Sequence, residues 1–200
     1  MRRVGQEHVV DLARRLDASD SAGGRHCETV ARYASEIARE LSLPADVCKA
    51  VHLAGLLHDV GKLGVPASIL SKPGPLSEDE WAEMQAHPRI GAELLVGAGL
   101  RDVCDWVYSH HERPDGSGYP RGLSADEIPL EAKILAVADS YEAMTNDRAY
   151  RTAITHEEAI EELRRNAGSQ FDESVVEVFL GVLSRDTKSR GGKRFAASAA

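Results

Sequence analysis

The sequence predicts an all-α fold, a compact bundle of about seven to nine helices, a number consistent with average helix length. Two observations lead to this prediction. Apolar residues recur with the 3.6-residue period of a helix along most of the chain, and two capping-box pairs mark helix starts. The chain has 200 residues, of which 42% are hydrophobic and 28% charged, so it is long enough to bury the core of one domain.

Two amphipathic segments open the chain, HVVDLARRLDAS and VARYASEIARELSL. The apolar face of a helix is formed by Val9, Leu12, Ala13 and Leu16 in the first segment, and by Val30, Tyr33, Ile37 and Leu41 in the second. A new helical segment begins after Pro44. Its sequence, ADVCKAVHLAGLLHDVGK, is apolar on almost all faces of a helix. That pattern is typical of the central helix of a bundle.

The remaining helices are marked by their caps. Ser77 with Glu80 and Thr155 with Glu158 have capping-box spacing, which predicts helices beginning near residues 78 and 156. The segments RDVCDWVYSHHE and LEAKILAVADSYEAMTN are helical in pattern, and the run ILAVA is assigned to helix because its neighbours are helical. Residues 113–128 are rich in Gly, Pro, Ser and Asp, which predicts a loop. DESVVEVFLGVLS is the last predicted helix.

The distribution of charge along the chain argues against a DNA-binding protein. Residues 185–200 are basic and poor in large apolar side chains, which predicts a disordered tail after a domain formed by residues 1–184. The net charge is −8, and this tail leaves the rest of the chain more acidic still. DNA binding, which depends on clustered cations, is therefore not expected.

No apolar run approaches the roughly 20 residues of a membrane span, and the N-terminal segment lacks the apolar part of a secretory signal. We therefore expect a soluble cytoplasmic protein without membrane contact. The three cysteines, Cys27, Cys48 and Cys104, have no C-x-x-C spacing. This favours reduced core residues over disulfides or a thiolate zinc site.

Five of the eight histidines stand beside a carboxylate, beside another histidine or near a Gly or Pro at a helix boundary: His26, His58, His87, His110 and His111. Asp59 directly follows one of them, and Asp139 is a carboxylate inside an apolar helical run. A lone buried carboxylate is costly unless it is paired or bound to a cation. The other three histidines, His8, His52 and His156, are expected to be surface or hydrogen-bonded core residues.

Imidazoles and carboxylates without thiolates suit divalent ions such as Mn, Fe, Ni, Co or Zn. Five histidines and two aspartates are more ligands than one ion needs, and they suffice for two ions if one carboxylate bridges them. Paired ions roughly 3.5–4 Å apart are a common device for hydrolysing phosphate esters. The alternative is a set of unrelated polar residues in helix caps.

Four segments carry a resemblance to a known family: LLHDVGKLGVPASILSKPGPL, MQAHPRIGAELL, HHERPDGSGYPRGL and AVADSYEAMTNDRAYR. The chain resembles the HD-GYP family of cyclic di-GMP phosphodiesterases, within the HD-domain superfamily of metal-dependent phosphohydrolases. The resemblance runs from about His8 to Leu183. Its specific part is HDxGK followed at this distance by HHExxDGxGYP.

The resemblance implies an HD-domain fold over residues 1–184 and a set of metal ligands. One ion would be bound by His26, His58, Asp59 and Asp139, and a second, bridged by Asp59, by His87, His110 and His111. Some members bind a third ion through a Glu four residues before the first histidine, and Ala22 occupies that position here. We therefore expect two divalent ions, with iron or manganese as the metals.

The resemblance also implies roles in catalysis and substrate binding. Asp59 and Lys62 would be catalytic, with Lys62 contacting the phosphate and stabilising the transition state. Arg148 and Arg151 match positions that receive the guanine or phosphate of the ligand, where solvated loop arginines are the alternative. Three residues, Gly118, Tyr119 and Pro120, would shape one wall of the substrate cleft.

The implied function is hydrolysis of cyclic di-GMP to pGpG, and onward to GMP, by a hydroxide that bridges the two ions. Two alternatives remain open. The first is an HD-type phosphohydrolase acting on another nucleotide or cyclic dinucleotide. The second is a catalytically inactive signalling module whose DGSGYP surface docks another protein, such as a GGDEF-type cyclase. The sequence makes no prediction of an oligomeric state.

Overall fold

A computed structural model of the chain describes residues 2–20, 25–147 and 152–196. In this part of the chain every regular element is helical, and no strand forms beyond two isolated bridges. The α-helices are α1 Arg2–Asp20, α2 His26–Glu40, α3 Ala45–Leu57, α4 Ala67–Leu70, α5 Glu78–Met84, α6 His87–Gly97, α7 Cys104–Ser109, α8 Leu130–Thr145, α9 His156–Arg165 and α10 Glu173–Ala196. Short 3-10 helices span Val60–Gly64, Arg101–Val103 and Ala125–Glu127.

The prediction of an all-α bundle is confirmed. One of the described α-helices, α4, is a single turn of four residues, and the longer helices fall within the predicted number. The structure differs from the sequence pattern at α3, which ends at Leu57 instead of continuing through the HDVGK segment. The chain instead turns at His58 and Asp59 and enters the 3-10 helix Val60–Gly64.

The centre of the bundle is formed by α2, which packs against α3 and α8. The predicted apolar faces are largely buried: Val9 and Ala13 of α1 and Val30 and Ile37 of α2 lie in the core, whereas the side chain of Leu16 lies outside the described residues. Phe179 of α10 completes this core, because its ring lies 5.0 Å from that of Tyr141 and 5.3 Å from that of Tyr33. These edge-to-face contacts join α2, α8 and α10.

Both predicted capping boxes are present. The Ser77 hydroxyl accepts a hydrogen bond from the Glu80 amide at 3.3 Å, and the Glu80 carboxylate accepts one from the Ser77 amide at 2.7 Å. Thr155 and Glu158 exchange the same two bonds at 3.2 and 2.8 Å. Helices α5 and α9 therefore begin where the sequence predicts.

The end of the chain continues as helix further than the sequence pattern predicts. The backbone of α10 runs to Ala196, because a helix that has been nucleated on the core can propagate one backbone hydrogen bond per added residue. The side chains of residues 186–196 and all of residues 197–200 lie outside what the structure describes. The predicted disorder of the 185–200 tail therefore stays a prediction.

The structure also bears on the expectations for the cysteines and for membrane-spanning helices. Cys27, Cys48 and Cys104 form no disulfide, and the first two are buried and the third half-buried, which agrees with their assignment as reduced core residues. In the described ranges, none of the helices combines the length and apolar character that crossing a bilayer requires.

The start of α10 is stabilised by Asp172. Its Oδ1 accepts hydrogen bonds from the amides of Ser174 at 3.1 Å and Val175 at 3.2 Å, and its Oδ2 lies 3.0 Å from Lys133 Nζ of α8. Burial raises the pKa of Asp172, but the hydrogen bonds from Ser174 and Lys133 outweigh it and hold the pKa below the ordinary 3.8. One carboxylate thus caps α10 and ties it to α8.

We predict that Asp172→Ala lowers the free energy of unfolding by about 1–2 kcal/mol near neutral pH, because the cap is lost. Asp172→Asn is the matched control, since Asn also caps helices but cannot pair with Lys133. Because the folded-state pKa is depressed, the ionic contribution is present above 3.8 and is lost as the pH falls through the folded value. Urea unfolding of wild type and Asp172→Asn should therefore converge in acid; a constant difference would contradict the assignment.

Candidate metal centre

The structure brings together the seven residues that the sequence singles out as metal ligands. They lie at or near helix ends, with the exception of one in the middle of α8: His26 at the start of α2, His58 and Asp59 after α3, His87 at the start of α6, His110 and His111 after α7, and Asp139 within α8. Five parts of the chain that are distant in sequence therefore meet at one buried point.

A first group is formed by His26, His58 and Asp59. The Nε2 atoms of the two histidines are 3.3 Å apart, and the Oδ2 atom of Asp59 lies 3.6 Å from His26 Nε2 and 3.3 Å from His58 Nε2. Asp139 borders this group, with its Oδ1 3.4 Å from His26 Nε2. Two imidazole nitrogens and two carboxylate oxygens thus converge on one space.

A second group is formed by His87, His110 and His111. The rings of His110 and His111 lie 4.0 Å apart, and that of His87 lies 5.4 Å from the first and 5.0 Å from the second. The Nε2 atoms of His87 and His110 are buried and have no hydrogen-bond partner among the described residues. A buried nitrogen lone pair without a partner costs free energy, and a divalent cation is the ligand that such a donor set fits.

Three of these histidines are oriented by the same device. His58 donates from Nδ1 to the Gly55 carbonyl at 2.9 Å, His87 to that of Met84 at 2.8 Å, and His110 to that of Val107 at 2.6 Å. Each carbonyl belongs to the last turn of the preceding helix, α3, α5 or α7, where carbonyls lack an intrahelical partner. The bond assigns the proton to Nδ1 and leaves the Nε2 lone pair facing the site.

Asp59 lies between the two groups. Its Oδ1 is 3.5 Å from His87 Nε2 in the second group, while its Oδ2 faces the first group and Lys62 Nζ, which is 2.7 Å away. This position follows from the early end of α3, because Asp59 has φ −95° and ψ 2°, outside the helical range. The carboxylate is therefore arranged to be shared.

The electrostatics of the first group reflect its carboxylates. Burial lowers the pKa of His26, but hydrogen bonds and charges from Asp59, Glu142 and Asp139 outweigh it and raise the pKa to about 10. Burial likewise raises the pKa of Asp59, but Lys62 and His58 outweigh it and hold the pKa well below 3.8. Both shifts favour the charged form of the group, the imidazolium of His26 and the carboxylate of Asp59, because the two opposite charges stabilise each other.

In the second group the pKa values of the histidines are lowered, whereas the pKa of His26 in the first group is raised. Burial and the neighbouring His58 and His87 lower the pKa of His110 to about 3, and burial with His110 and His87 lowers the pKa of His111 well below 6.5. Burial also lowers the pKa of His87. These imidazoles are therefore neutral near pH 7, which is the form that binds a metal ion.

Two glycines permit the close backbone contacts that position the ligands. A Cβ on Gly61 would lie 1.8 Å from the carbonyl oxygen of His87, and one on Gly118 would lie 2.3 Å from the Arg113 amide nitrogen and 2.6 Å from the His111 carbonyl oxygen. Any side chain at either position would displace backbone. The glycines of the HDVGK and GYP segments thus hold His87 and His111 in place.

The GYP loop is fastened to the second group. The ring of Tyr119 stacks on His111, with centroids 4.8 Å apart and planes at 27°. Glu112, buried in the protein, accepts hydrogen bonds from the amides of Arg121 at 2.6 Å and Leu123 at 2.9 Å. The loop therefore forms a wall beside the site.

A cavity of about 690 Å³ opens onto this centre. We call the part of its lining formed by Asp59, Lys62, Asp139, His87 and His111 its polar end. We call the part that includes Leu76, Trp81 and Met84 its apolar end; Ser71 and Lys72 also line the cavity. Of the three residues expected to shape the cleft, Tyr119 lines the cavity, whereas Gly118 and Pro120 are not among its lining residues. The expected ligand contacts Arg148 and Arg151 lie outside the described residues.

Sequence reasoning missed Glu142. This residue, one turn after Asp139 in α8, is buried, and its Oε2 accepts a hydrogen bond from His26 Nδ1, while its Oε1 accepts one from Asn146 Nδ2 at 3.1 Å. Its signal in the sequence is a further acid one turn after Asp139 in the same apolar helix. A carboxylate on the far nitrogen of a ligating histidine sets the ring orientation and raises its basicity.

The histidines assigned elsewhere lie apart from the two groups. His8 is exposed, His52 Nδ1 lies 3.2 Å from the Ser35 hydroxyl, and His156 Nδ1 lies 2.5 Å from the Tyr141 hydroxyl. They are surface or hydrogen-bonded residues, as expected.

Comparison with known proteins gives consistent matches. A family model described as HD domain matches residues 7–175. The chain is 40% identical over 178 residues to the cyclic di-GMP phosphodiesterase response regulator RpfG of Xanthomonas campestris pv. campestris, covering 88% of this chain and 47% of that protein. It is 36% identical over 186 residues to 3′3′-cGAMP-specific phosphodiesterase 1 of Vibrio cholerae, covering 89% and 43%. The chain thus spans about half the length of these curated relatives.

Solved structures share the fold. A cyclic GMP-AMP specific phosphodiesterase of V. cholerae, V-cGAP3, matches with a TM-score of 0.69 and 19% identity over 90% of this chain and 48% of that chain. The HD domain of the L. monocytogenes phosphodiesterase PgpH matches with a TM-score of 0.64 and 19% identity over 90% and 96%.

We predict that Glu142→Ala weakens binding of a divalent ion by about 10–100-fold, because the His26 ring loses the carboxylate that orients it. Chelator competition with Mn²⁺ measures the affinity. Glu142→Gln should recover part of it, since an amide oxygen still accepts the His26 bond. Glu131→Ala, at the other end of α8, is the control. Wild-type affinity in Glu142→Ala would refute the role.

Proposed function

Because this chain belongs to the HD-domain family and, within it, to the HD-GYP group, we propose that it is a metal-dependent phosphodiesterase that hydrolyses cyclic di-GMP to pGpG, with GMP as the product of a second cleavage. The observation that carries this proposal is the pair of imidazole groups sharing Asp59 at the polar end of one cavity. The curated relative RpfG, a cyclic di-GMP phosphodiesterase by name, supports the choice of substrate.

The metal ligands in this proposal are the seven clustered residues. One divalent ion would be held by His26, His58, Asp59 and Asp139, and a second by Asp59, His87, His110 and His111. Iron or manganese fits this nitrogen and oxygen donor set without thiolates. When bound, such ions supply an activated water at neutral pH and neutralise charge on the phosphate.

The chain's own residues bind and orient the phosphodiester. Lys62, only 15% exposed, holds its ammonium at 2.7 Å from Asp59 and faces the cavity. In the complex it donates a hydrogen bond from Nζ to a non-bridging phosphate oxygen, which stabilises the charge that grows in the transition state. Tyr119 closes one side and limits access of water. We propose that Arg148 and Arg151 contact the guanine or the second phosphate through their guanidinium groups.

A second candidate substrate is 3′3′-cGAMP. It is favoured by the curated V. cholerae relative, whose name specifies this dinucleotide. The two substrates differ in one purine, and the ratio of kcat/KM for the two distinguishes them. Docking of a GGDEF-type protein on the DGSGYP loop stays a prediction.

We predict that anaerobically purified protein loaded with Fe²⁺ or Mn²⁺ converts cyclic di-GMP to pGpG. Asp59→Ala should lower kcat by about 10³-fold or more, because the shared ligand is lost and with it the metal's charge stabilisation. Asp59→Asn, of nearly the same size, controls for folding. Product chromatography with metal analysis is the measurement. Absence of turnover in wild type with either ion, or equal turnover in wild type and Asp59→Ala, would overturn the proposal.

A separate prediction concerns Lys62. Lys62→Ala should lower kcat by about 10²–10³-fold, because one charged contact to the transition state is removed. Lys62→Arg should recover part of this loss, and Lys49→Ala, an exposed lysine of α3, is the control. Steady-state kinetics with bound metal measured in parallel test it. A fall in metal content that matches the fall in rate would assign Lys62 to metal binding instead.

A further inference from the structure

The apolar end of the cavity is built around an exposed tryptophan. Trp81 of α5 lines the cavity and is 47% exposed. Leaving so large an apolar side chain in water forgoes the free energy of burying it. Trp81 is not a solitary apolar residue, because Leu76 and Met84 line the same cavity, and a continuous apolar surface in a groove marks a binding site.

Helix α5, which carries Trp81, contributes no buried residue to the core. None of the seven residues of α5 is buried. The helix is nevertheless held firmly, by the Ser77–Glu80 capping box and by Lys72, whose Nζ lies 2.5 Å from the Glu80 carboxylate. Polar contacts fix the start of α5, although the helix buries no residue in the core. We infer that its role is to hold exposed side chains such as Trp81 in position.

Trp81 is joined to the metal centre by a continuous series of rings. It meets Tyr119 edge to face, with centroids 6.2 Å apart and planes at 74°, and Tyr119 in turn stacks on His111. The same cavity contains Asp59 and Lys62 at its polar end and Trp81 at its apolar end. A ligand whose phosphate lies at the polar end therefore extends toward Trp81.

We propose that Trp81 is the stacking surface of a subsite for a purine base of the nucleotide substrate. Around it the cavity is lined by the apolar side chains of Pro75, Leu76 and Met84, which offer contact to the face of a base. Stacking is sequence-tolerant because every base has a π-face. The subsite thus accepts guanine and adenine alike. This inference rests on the proposed phosphodiesterase function and adds a base-binding residue to it.

The test compares two probes that share a phosphate and differ by the base, GMP and ribose 5-phosphate. Binding to the Mn²⁺-loaded full chain is measured by calorimetry for wild type, Trp81→Ala, Trp81→Leu and Trp81→Phe. Trp81→Ala should lower the affinity for GMP by about 5–150-fold, the range that loss of one stacking contact gives, and the affinity for ribose 5-phosphate much less. Trp81→Phe should retain most of the preference for GMP, and Trp81→Leu little, because leucine keeps apolar volume without a π-face.

Trp106→Phe is the matched control, because this half-buried residue of α7 packs against the core outside the cavity. It also leaves Trp81 as the single tryptophan of the two in the chain, so GMP should quench the remaining fluorescence. The proposal is overturned if wild type binds GMP no more tightly than ribose 5-phosphate, if Trp81→Ala weakens both equally, or if GMP leaves the emission unchanged.

The test distinguishes a failure of the base subsite from a failure of the phosphodiesterase proposal. Wild type that hydrolyses cyclic di-GMP while its GMP preference is unaffected by Trp81→Ala contradicts the base subsite alone. A Trp81-dependent GMP preference in a protein that hydrolyses no cyclic dinucleotide supports the base subsite and contradicts the phosphodiesterase.

Discussion

The carboxylate of Asp59, shared between two groups of buried imidazoles, is the interaction on which the rest of the structure depends. One oxygen faces His87 and the other faces His26, His58 and Lys62. A buried anion is tolerable only where cationic or hydrogen-bonding partners replace its lost hydration. The apolar helices α2, α3 and α8 create the buried setting, and their ends supply those partners. The buried carboxylate of Asp59 needs these partners, and this need explains why five segments of the chain converge there.

Most of the candidate metal ligands lie at the ends of helices, and only Asp139 lies in the middle of one. An unpaired carbonyl in a last helical turn accepts the Nδ1 proton of His58, His87 or His110, so one bond completes the helix and orients the ligand. Gly61 and Gly118 allow backbone contacts that any Cβ would prevent. Gly61 of the HDVGK segment and Gly118 of the GYP segment thus have a structural role beside the site. Stability and site geometry are coupled at these positions.

The lining of the cavity combines a charged surface and an apolar surface. Its polar end carries the charges of Asp59 and Lys62, which is where the proposed function places the phosphate. Its apolar end is carried by α5, a helix that contributes nothing buried to the core and holds Trp81 in the open. Tyr119 belongs to both ends, because it stacks on His111 and meets Trp81. The arrangement suits a ligand that is charged at one end and flat and apolar at the other.

The sequence by itself determined the helical fold, the starts of α5 and α9 and the residues of the candidate metal centre, because periodicity, capping boxes and adjacent His and Asp residues are local signals. It did not reveal the early end of α3, the contact of Glu142 with His26 or the cavity beside Trp81. Those features depend on distances between residues far apart in the chain. Only the packing of α2, α3, α5 and α8 sets such distances, since a local pattern says which side chains face inward but not which of them meet.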